Sequence, residues 1–190
     1  MNIENFFNAE FDEHEAVLRA TRDALCDEFA RLCDFAITAL KAGNKLVLFG
    51  NGGSAADAQH IAAELVVRYK INRAPLAAIA LTTDSSVLTA AANDFGNDTI
   101  FDRQLAALCK PGDVAIGITT SGNSENVVRA LQTARDMGVT PAAFSGRGGG
   151  RLAGLADPLL IVPSETIARV QEMHILLGHM LCDVLEQECP

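Results

Sequence analysis

The chain has no excess of positive charge: 15 Lys and Arg stand against 24 Asp and Glu, a formal net charge of −9. That argues against general nucleic-acid binding, which needs a basic face. A locally bound anion stays possible, because a cradle of backbone amides works without global charge. No apolar run approaches the ~18 residues needed to cross a bilayer, so no membrane partner is expected. The opening Met1-Asn2-Ile3-Glu4-Asn5 lacks the basic start and apolar core of a secretory signal. Cysteine is sparse and odd in number, and Cys26, Cys33, Cys109, Cys182 and Cys189 include no Cys-x-x-Cys pair. Reduced thiols in a cytoplasmic protein follow, rather than a disulfide framework or a thiolate zinc site. These thiols read as small buried side chains, not nucleophiles. Repeats, low-complexity tracts and linkers are missing too. The 190 residues, 49% hydrophobic, suit one domain with an ample core.

Two Gly- and Ser-rich junctions dominate what is present: Gly50-Asn51-Gly52-Gly53-Ser54-Ala55 and Thr119-Thr120-Ser121-Gly122-Asn123-Ser124. Each follows a short apolar run that reads as a buried strand and opens into a helical pattern. Small residues let backbone N–H groups approach an anion, and the helix N-terminus adds partial positive charge. Neither junction carries a Walker lysine, so a nucleoside triphosphate fits poorly. A small sugar phosphate fits better. Strands are predicted at 45–49, 76–81, 114–118, 140–144 and 159–162. Between and after them, helices are predicted at 54–69, 85–92, 101–108, 126–137 and 166–187. This alternation means an α/β fold with a parallel sheet covered on both faces, its ligand beyond the carboxyl ends of the strands. Residues 8–41 read as two helices or one broken helix, with Leu25, Phe29, Leu32, Ala36 and Leu40 at helical spacing and Gly43-Asn44 as a stop. The apolar face of that segment packs either on a second subunit or within the chain. Gly146-Arg147-Gly148-Gly149-Gly150-Arg151 is the most flexible-looking stretch.

His60 and Glu64, four apart, share one face of the helix that opens at the first cradle. The last helix carries Gln171, His174 and His179. Two imidazoles, a carboxylate and an amide oxygen could close a zinc or similar divalent site. The same His–Glu spacing is commoner in plain surface pairs. Gln171 and His174 share a face, and His179 is rotated by about 80° from Gln171, so spacing leaves His174 and His179 as alternatives. Gly50-x-Gly52-x-x-Ala55 also satisfies a relaxed dinucleotide fingerprint, but Asp84, the one acidic candidate for a ribose, comes too late. Asn93-Asp94-Phe95-Gly96 reads as a helix stop, with Asp94 capping the next element. Arg68 and Arg169 could face a phosphate or, more ordinarily, a carboxylate.

Taken in order, 49-FGNGGSAADAQH-60, Glu64, Asn93-Asp94, 120-TSGNS-124 and 169-RVQEMH-174 resemble the phosphoheptose isomerases of the sugar-isomerase (SIS) superfamily. The resemblance spans nearly the whole chain. It implies a single SIS domain over 45–190 with a flavodoxin-like five-stranded parallel sheet flanked by helices. Residues 1–44 then form an N-terminal helical segment on the domain and the oligomer interface. It further implies a homotetramer with active sites at subunit contacts, and one zinc per subunit on His60, Glu64, Gln171 and His179. His174 becomes structural. Substrate contacts carry over to Asn51, Gly52, Gly53, Ser54, Glu64, Asn93, Asp94, Thr119, Thr120, Ser121, Ser124 and Gln171. Thr119 stands where the family usually has serine, which preserves a hydroxyl.

The implied activity is isomerisation of sedoheptulose 7-phosphate to D-glycero-D-manno-heptose 7-phosphate, an entry to heptose for lipopolysaccharide core or surface glycans. Moving a proton between C1 and C2 through an enediol needs a base, an acid and support for the developing oxyanion. Glu64 and His179 are the expected catalytic pair. A sister group binds the replication initiator DnaA without catalysis and lacks the acid at position 64 and the histidine at 179. Both are present here, which favours the enzyme over that adaptor.

Overall fold

Five apolar runs become five parallel strands: β1 (Leu46–Gly50), β2 (Ala78–Ala80), β3 (Val114–Ile118), β4 (Thr140–Ser145) and β5 (Leu159–Ile161). The computed structural model describes residues 1–189. Six helices accompany the sheet: α1 (Ile3–Lys41), α2 (Gly53–Val66), α3 (Ser85–Phe95), α4 (Asp102–Leu108), α5 (Glu125–Asp136) and α6 (Ile167–Glu188). Alternate strand residues face opposite layers. Leu46, Leu48, Ile116 and Phe144 join Leu32 and Ala36 of α1, Ile61 of α2 and Leu177 and Leu181 of α6 in one core. Val47, Phe49, Ala115 and Ala143 join Ala91 of α3, Leu105 of α4 and Val127 and Leu131 of α5 in the other. Burial on both faces explains why the strands read as unbroken apolar runs rather than alternating ones.

The strand order is β2-β1-β3-β4-β5. The chain leaves β1 in one direction for β2 and returns to its other side for β3, so the topology reverses between β1 and β3. Gly50 and Ile118, the last residues of those two strands, are register partners. Both Gly/Ser junctions therefore open side by side at the switch point, where α/β sheets hold their ligands.

Three expectations need correction. The N-terminal segment is one unbroken 39-residue helix starting at Ile3, not two helices or a broken one from residue 8. No Gly or Pro interrupts it, and the Asn2 side chain caps it by accepting from Asn5 N–H. Val17, Thr21, Leu25, Leu32, Cys33, Ala36 and Ala39 form its buried stripe, while Ile3, Phe6, Phe7 and Phe11 near its start stay exposed. Second, the stretch 146–151 is no loose loop. It is a short 3-10 turn region over Arg147–Leu152 lying on the second junction, with Arg151 N–H donating to Gly122 O at 3.0 Å. Gly122 has φ +67, and a Cβ there would fall 2.1 Å from Gly149 O, so only glycine permits the approach. Third, Asn93 and Asp94 lie inside the last turn of α3, which stops at Gly96. Asn93 donates to Asp94 Oδ1 at 2.8 Å, and Asp94 caps nothing that follows, because Gly96 is the residue preceding the next turn.

Candidate active site

The second junction binds its own hydroxyls together. Thr119 Oγ1 lies 3.1 Å from Ser124 Oγ and 3.5 Å from Ser121 Oγ, and Ser121 Oγ accepts from Asn123 N–H at 3.2 Å. Thr119 is buried, and Ser121 and Thr120 are half-buried at the mouth. Across the switch point, Ser54 is buried in the first turn of α2, and Gly52 and Gly53 are exposed beside it. The join between the two junctions is a reciprocal amide pair. Asn51 Nδ2 donates to Asn126 Oδ1 and Asn126 Nδ2 donates to Asn51 Oδ1, both at 2.9 Å. The Asn51 carboxamide, expected to touch ligand, is thus engaged with α5 through one N–H and its oxygen, and its second N–H and its backbone are what remain to face an anion.

Asn126 escaped the sequence reading. Nothing marks an asparagine in the first turn of a helix as the partner of one 75 positions earlier. Replacing Asn51 by Ala strands the buried Asn126 amide, at a cost of about 1–3 kcal/mol. Chemical unfolding of Asn51→Ala, Asn126→Ala and the double variant measures it. We expect the double variant to be less destabilised than the sum of the singles. Strict additivity would mean that the pair does not couple the junctions.

One turn along α2 from the first junction the titratable groups gather. His60 Nε2 is 2.9 Å from His179 Nε2, so one ring donates and the other accepts, and the two rings meet edge to face at 73°. Glu64 Oε1 lies 3.4 Å from His60 Nε2. Gln171 stands further back on α6, against the start of α2. A Cβ on Gly53 would fall 2.6 Å from Gln171 Nε2, so glycine there makes room for the carboxamide. Asp57, a turn before His60, keeps Oδ2 buried without a hydrogen-bond partner. Burial raises its carboxyl above the ordinary aspartate range, against the opposing pull of His60 and His179.

The spacing of this donor set can be compared with what a cation requires. Ligand atoms about 2.0–2.1 Å from a tetrahedral zinc stand roughly 3.4 Å from each other. The 3.4 Å separation of His60 and Glu64 matches, and the hydrogen-bonded imidazoles at 2.9 Å would need only to part slightly. Among the described residues no three His, Cys, Asp or Glu side chains stand as a ready-made cation cage. His60, Glu64 and His179 suit a divalent ion in their chemistry, and the His60 spacings to Glu64 and His179 lie close to what it requires.

The remaining candidates separate. His174 is fully buried, its Nε2 donating to Ser145 O at 3.1 Å, far from any role as a donor to a cation. Arg169 is also buried. It donates to Glu10 O at 2.6 Å and to Glu172 Oε1 at 2.8 Å, and lies 3.2 Å from Glu10 Oε2, tying α1 to α6 instead of facing an anion. Arg68 is exposed just beyond α2. Asp84 caps α3 by accepting from Val87 N–H at 3.0 Å, which removes it as a ribose ligand. Asp94 lines a different hollow, of about 670 Å³, with Thr83, Asp84, Phe95 and Arg103. Among the described residues no hydrogen bond joins the Asn93 or Asp94 side chain to the junctions. All five cysteines are free. Cys33 and Cys182 are buried, Cys109 and Cys189 half-buried, and Cys26 exposed, contrary to the buried reading. Burial pushes Cys182 up to about 12, and Cys33 and Cys109 to about 11, so these three are poor nucleophiles.

Comparison with known proteins agrees with this geometry. The SIS domain family matches residues 11–146. A phosphoheptose isomerase of Paramagnetospirillum magneticum is 59% identical over 186 residues, covering 98% of this chain and 97% of that protein. The chain belongs to the phosphoheptose isomerases of the SIS family. The corresponding protein of Aquifex aeolicus is 58% identical over 93% of each chain. The solved phosphoheptose isomerase of Neisseria gonorrhoeae superposes with a TM-score of 0.92 at 40% identity, over 98% of this chain and all of that one. The family match begins inside α1, so the long helix is continuous with the region that the family shares.

Proposed function

We propose that this chain interconverts sedoheptulose 7-phosphate and D-glycero-D-manno-heptose 7-phosphate through an enediol or enediolate. The observation that carries this reading is the cluster of His60, Glu64 and His179 beside two Gly/Ser junctions, in a chain of this family. The phosphate is held by Ser54, Thr120, Ser121, Ser124 and the amides at the two helix starts, where hydroxyls and N–H dipoles converge without a charged side chain. Gly52, Gly53, Asn51, Thr119 and Gln171 complete the sugar contacts within one chain, and Asn93 and Asp94, which stand apart from the junctions, would join them across a subunit contact. Holding the phosphate remotely orients C1 and C2 toward α2 and α6. Glu64 takes the carbon-bound proton, and His179 acts as acid and base on the opposite side. His60, Glu64, Gln171 and His179 would hold a divalent ion, with zinc as the choice, which supplies charge stabilisation for the two substrate oxygens when bound.

The exposed Ile3, Phe6, Phe7 and Phe11 on α1 support a homotetramer in which other copies cover that face. Among the described residues no helix is long and apolar enough to cross a membrane, and we place the protein in the cytoplasm, feeding heptose to lipopolysaccharide core or other surface glycans. Glu64 and His179, the residues that non-catalytic adaptors lack, both belong to the cluster around His60, which favours catalysis over DnaA binding.

Proton NMR of sedoheptulose 7-phosphate with the protein tests the reading. An aldoheptose anomeric signal should appear, vanish on chelation and return with zinc. No turnover by folded, zinc-supplemented protein would sink it.

A further inference from the structure

Between α2 and β2 the chain crosses over α6, and this crossing is fastened by a buried charge pair. The Glu186 carboxylate accepts from three consecutive backbone N–H groups, Tyr69 at 2.8 Å, Lys70 at 2.7 Å and Ile71 at 2.6 Å. Arg73 Nε lies 3.5 Å from Glu186 Oε2, and both side chains are 2% exposed. Burial alone would raise the Glu186 carboxyl, but the three N–H donors and the Arg73 charge outweigh it and hold it below the usual glutamate range. Arg73 in turn donates to Glu64 O at 3.0 Å and Leu65 O at 2.8 Å, closing the carbonyl end of the helix that carries Glu64. Glu186 sits seven residues after His179, two turns along the same face of α6. One buried pair therefore links the backbone that bears Glu64 to the helix that bears His179.

The strap also carries an aromatic ring. Tyr69 stacks on His179, with centroids 5.6 Å apart and planes 19° from parallel, on top of the edge-to-face contact that His179 makes with His60. Lys70 anchors the same turn from outside, with Nζ 2.6 Å from Asp183 Oδ2. We infer that Tyr69 is a positioning residue for His179, itself held in place by the Glu186–Arg73 pair. A half-buried histidine at the edge of a helix face keeps more than one rotamer, and a stacked ring backed by a fixed crossing segment selects one before substrate arrives. This inference rests on the reading of His179 as a catalytic group. It assigns no chemistry to the Tyr69 hydroxyl.

Three variants test it: Tyr69→Phe, Tyr69→Leu and Glu186→Gln. Tyr69→Phe keeps the stack and should stay within about twofold of the parent in kcat. Tyr69→Leu should lower kcat by about ten- to a hundredfold, the scale of a small misplacement of a reacting group, with KM for the sugar phosphate nearly unchanged. Histidine-labelled NMR supplies a readout independent of turnover. The His179 ring resonances, assigned with His179→Gln, should shift in Tyr69→Leu and Glu186→Gln but not in Tyr69→Phe. If Glu186→Gln fails to fold, the Tyr69 pair still decides. Equal loss of kcat in Phe and Leu variants would overturn the inference in favour of a role for the hydroxyl. Unshifted His179 resonances or unchanged kcat in Tyr69→Leu would overturn it outright. An inactive parent protein would instead sink the functional reading, and the resonance comparison would still report on the stack.

Discussion

Glu64→Gln should lower turnover by about three orders of magnitude with little change in stability. The side chain is 24% exposed and its near partner is His60 at 3.4 Å, so loss of its charge removes only a partly solvated pair. Glutamine has the same shape and can still accept a hydrogen bond, but it cannot take a proton from carbon. General-base catalysis is worth about 10²–10⁴ in rate, and a thousandfold loss corresponds to about 4 kcal/mol of barrier. His179→Gln should act similarly, and the double variant should be no worse than the poorer single by more than a few-fold, since an acid and a base acting on one proton transfer fail together. Two roles of Glu64 separate in zinc binding. Retained zinc affinity with lost turnover identifies a base. Affinity lost in step with turnover, and turnover recovered in excess zinc, identifies a ligand. Turnover within tenfold of the parent would remove Glu64 from both roles.

The parts of this molecule that were legible in the sequence are those written in contiguous residues. Val114–Ile118 could be read as a strand because burial on both faces demands five apolar residues in a row. Junctions at 50–55 and 119–124 were legible because a cradle needs small residues at consecutive positions. Pairings across the chain were not. The Asn51–Asn126 amide pair and the Glu186–Arg73 pair join residues 75 and 113 positions apart, and a lone Asn or Arg near a helix end reads as solvated. Tyr69 is illegible for the same reason, since a single tyrosine at the end of a predicted helix carries no periodic signal. The glycine stretch 146–151 misled in the other direction. Its left-handed glycines look like freedom in sequence, yet a Cβ on Gly150 at φ +51 would fall 2.7 Å from Ser121 O of the second junction, and one on Gly149 at φ +83 would fall 2.8 Å from the Ile161 side chain of β5. Spacing alone leaves His174 and His179 as alternatives, and the packing of α6 agrees with the choice that the family resemblance implies: His179 meets α2's cluster and His174 turns into the core.

That core histidine sets the second large effect, a loss of stability in mild acid. His174 has no exposed surface, and its Nε2 donates to Ser145 O, which leaves Nδ1 buried with no partner. A second proton would place a cation against Phe144, whose ring centroid is 5.8 Å away, with nothing to accept from Nδ1. Burial therefore pushes the imidazole down to about 4 from 6.5, only partly opposed by the Ser145 bond. The unfolded chain binds the proton near 6.5 and the folded chain does not until about 4, so the unfolded state holds more protons throughout that window. Stability contributed by the neutral ring is intact above pH 6.5 and drains as pH falls toward 4, by about 2 kcal/mol at pH 5 and about 3 kcal/mol in full. Urea unfolding of the parent and His174→Leu, at one protein concentration and at pH 7.5 and 5.0, isolates the term. Leucine loses the bond to Ser145 and should be the weaker protein at pH 7.5, by about 1–3 kcal/mol. The gap should then close by about 2 kcal/mol at pH 5.0, because leucine has no proton to refuse. A gap that stays constant between the two pH values would mean that His174 is protonated in the folded protein, and that some acceptor reaches Nδ1 in solution.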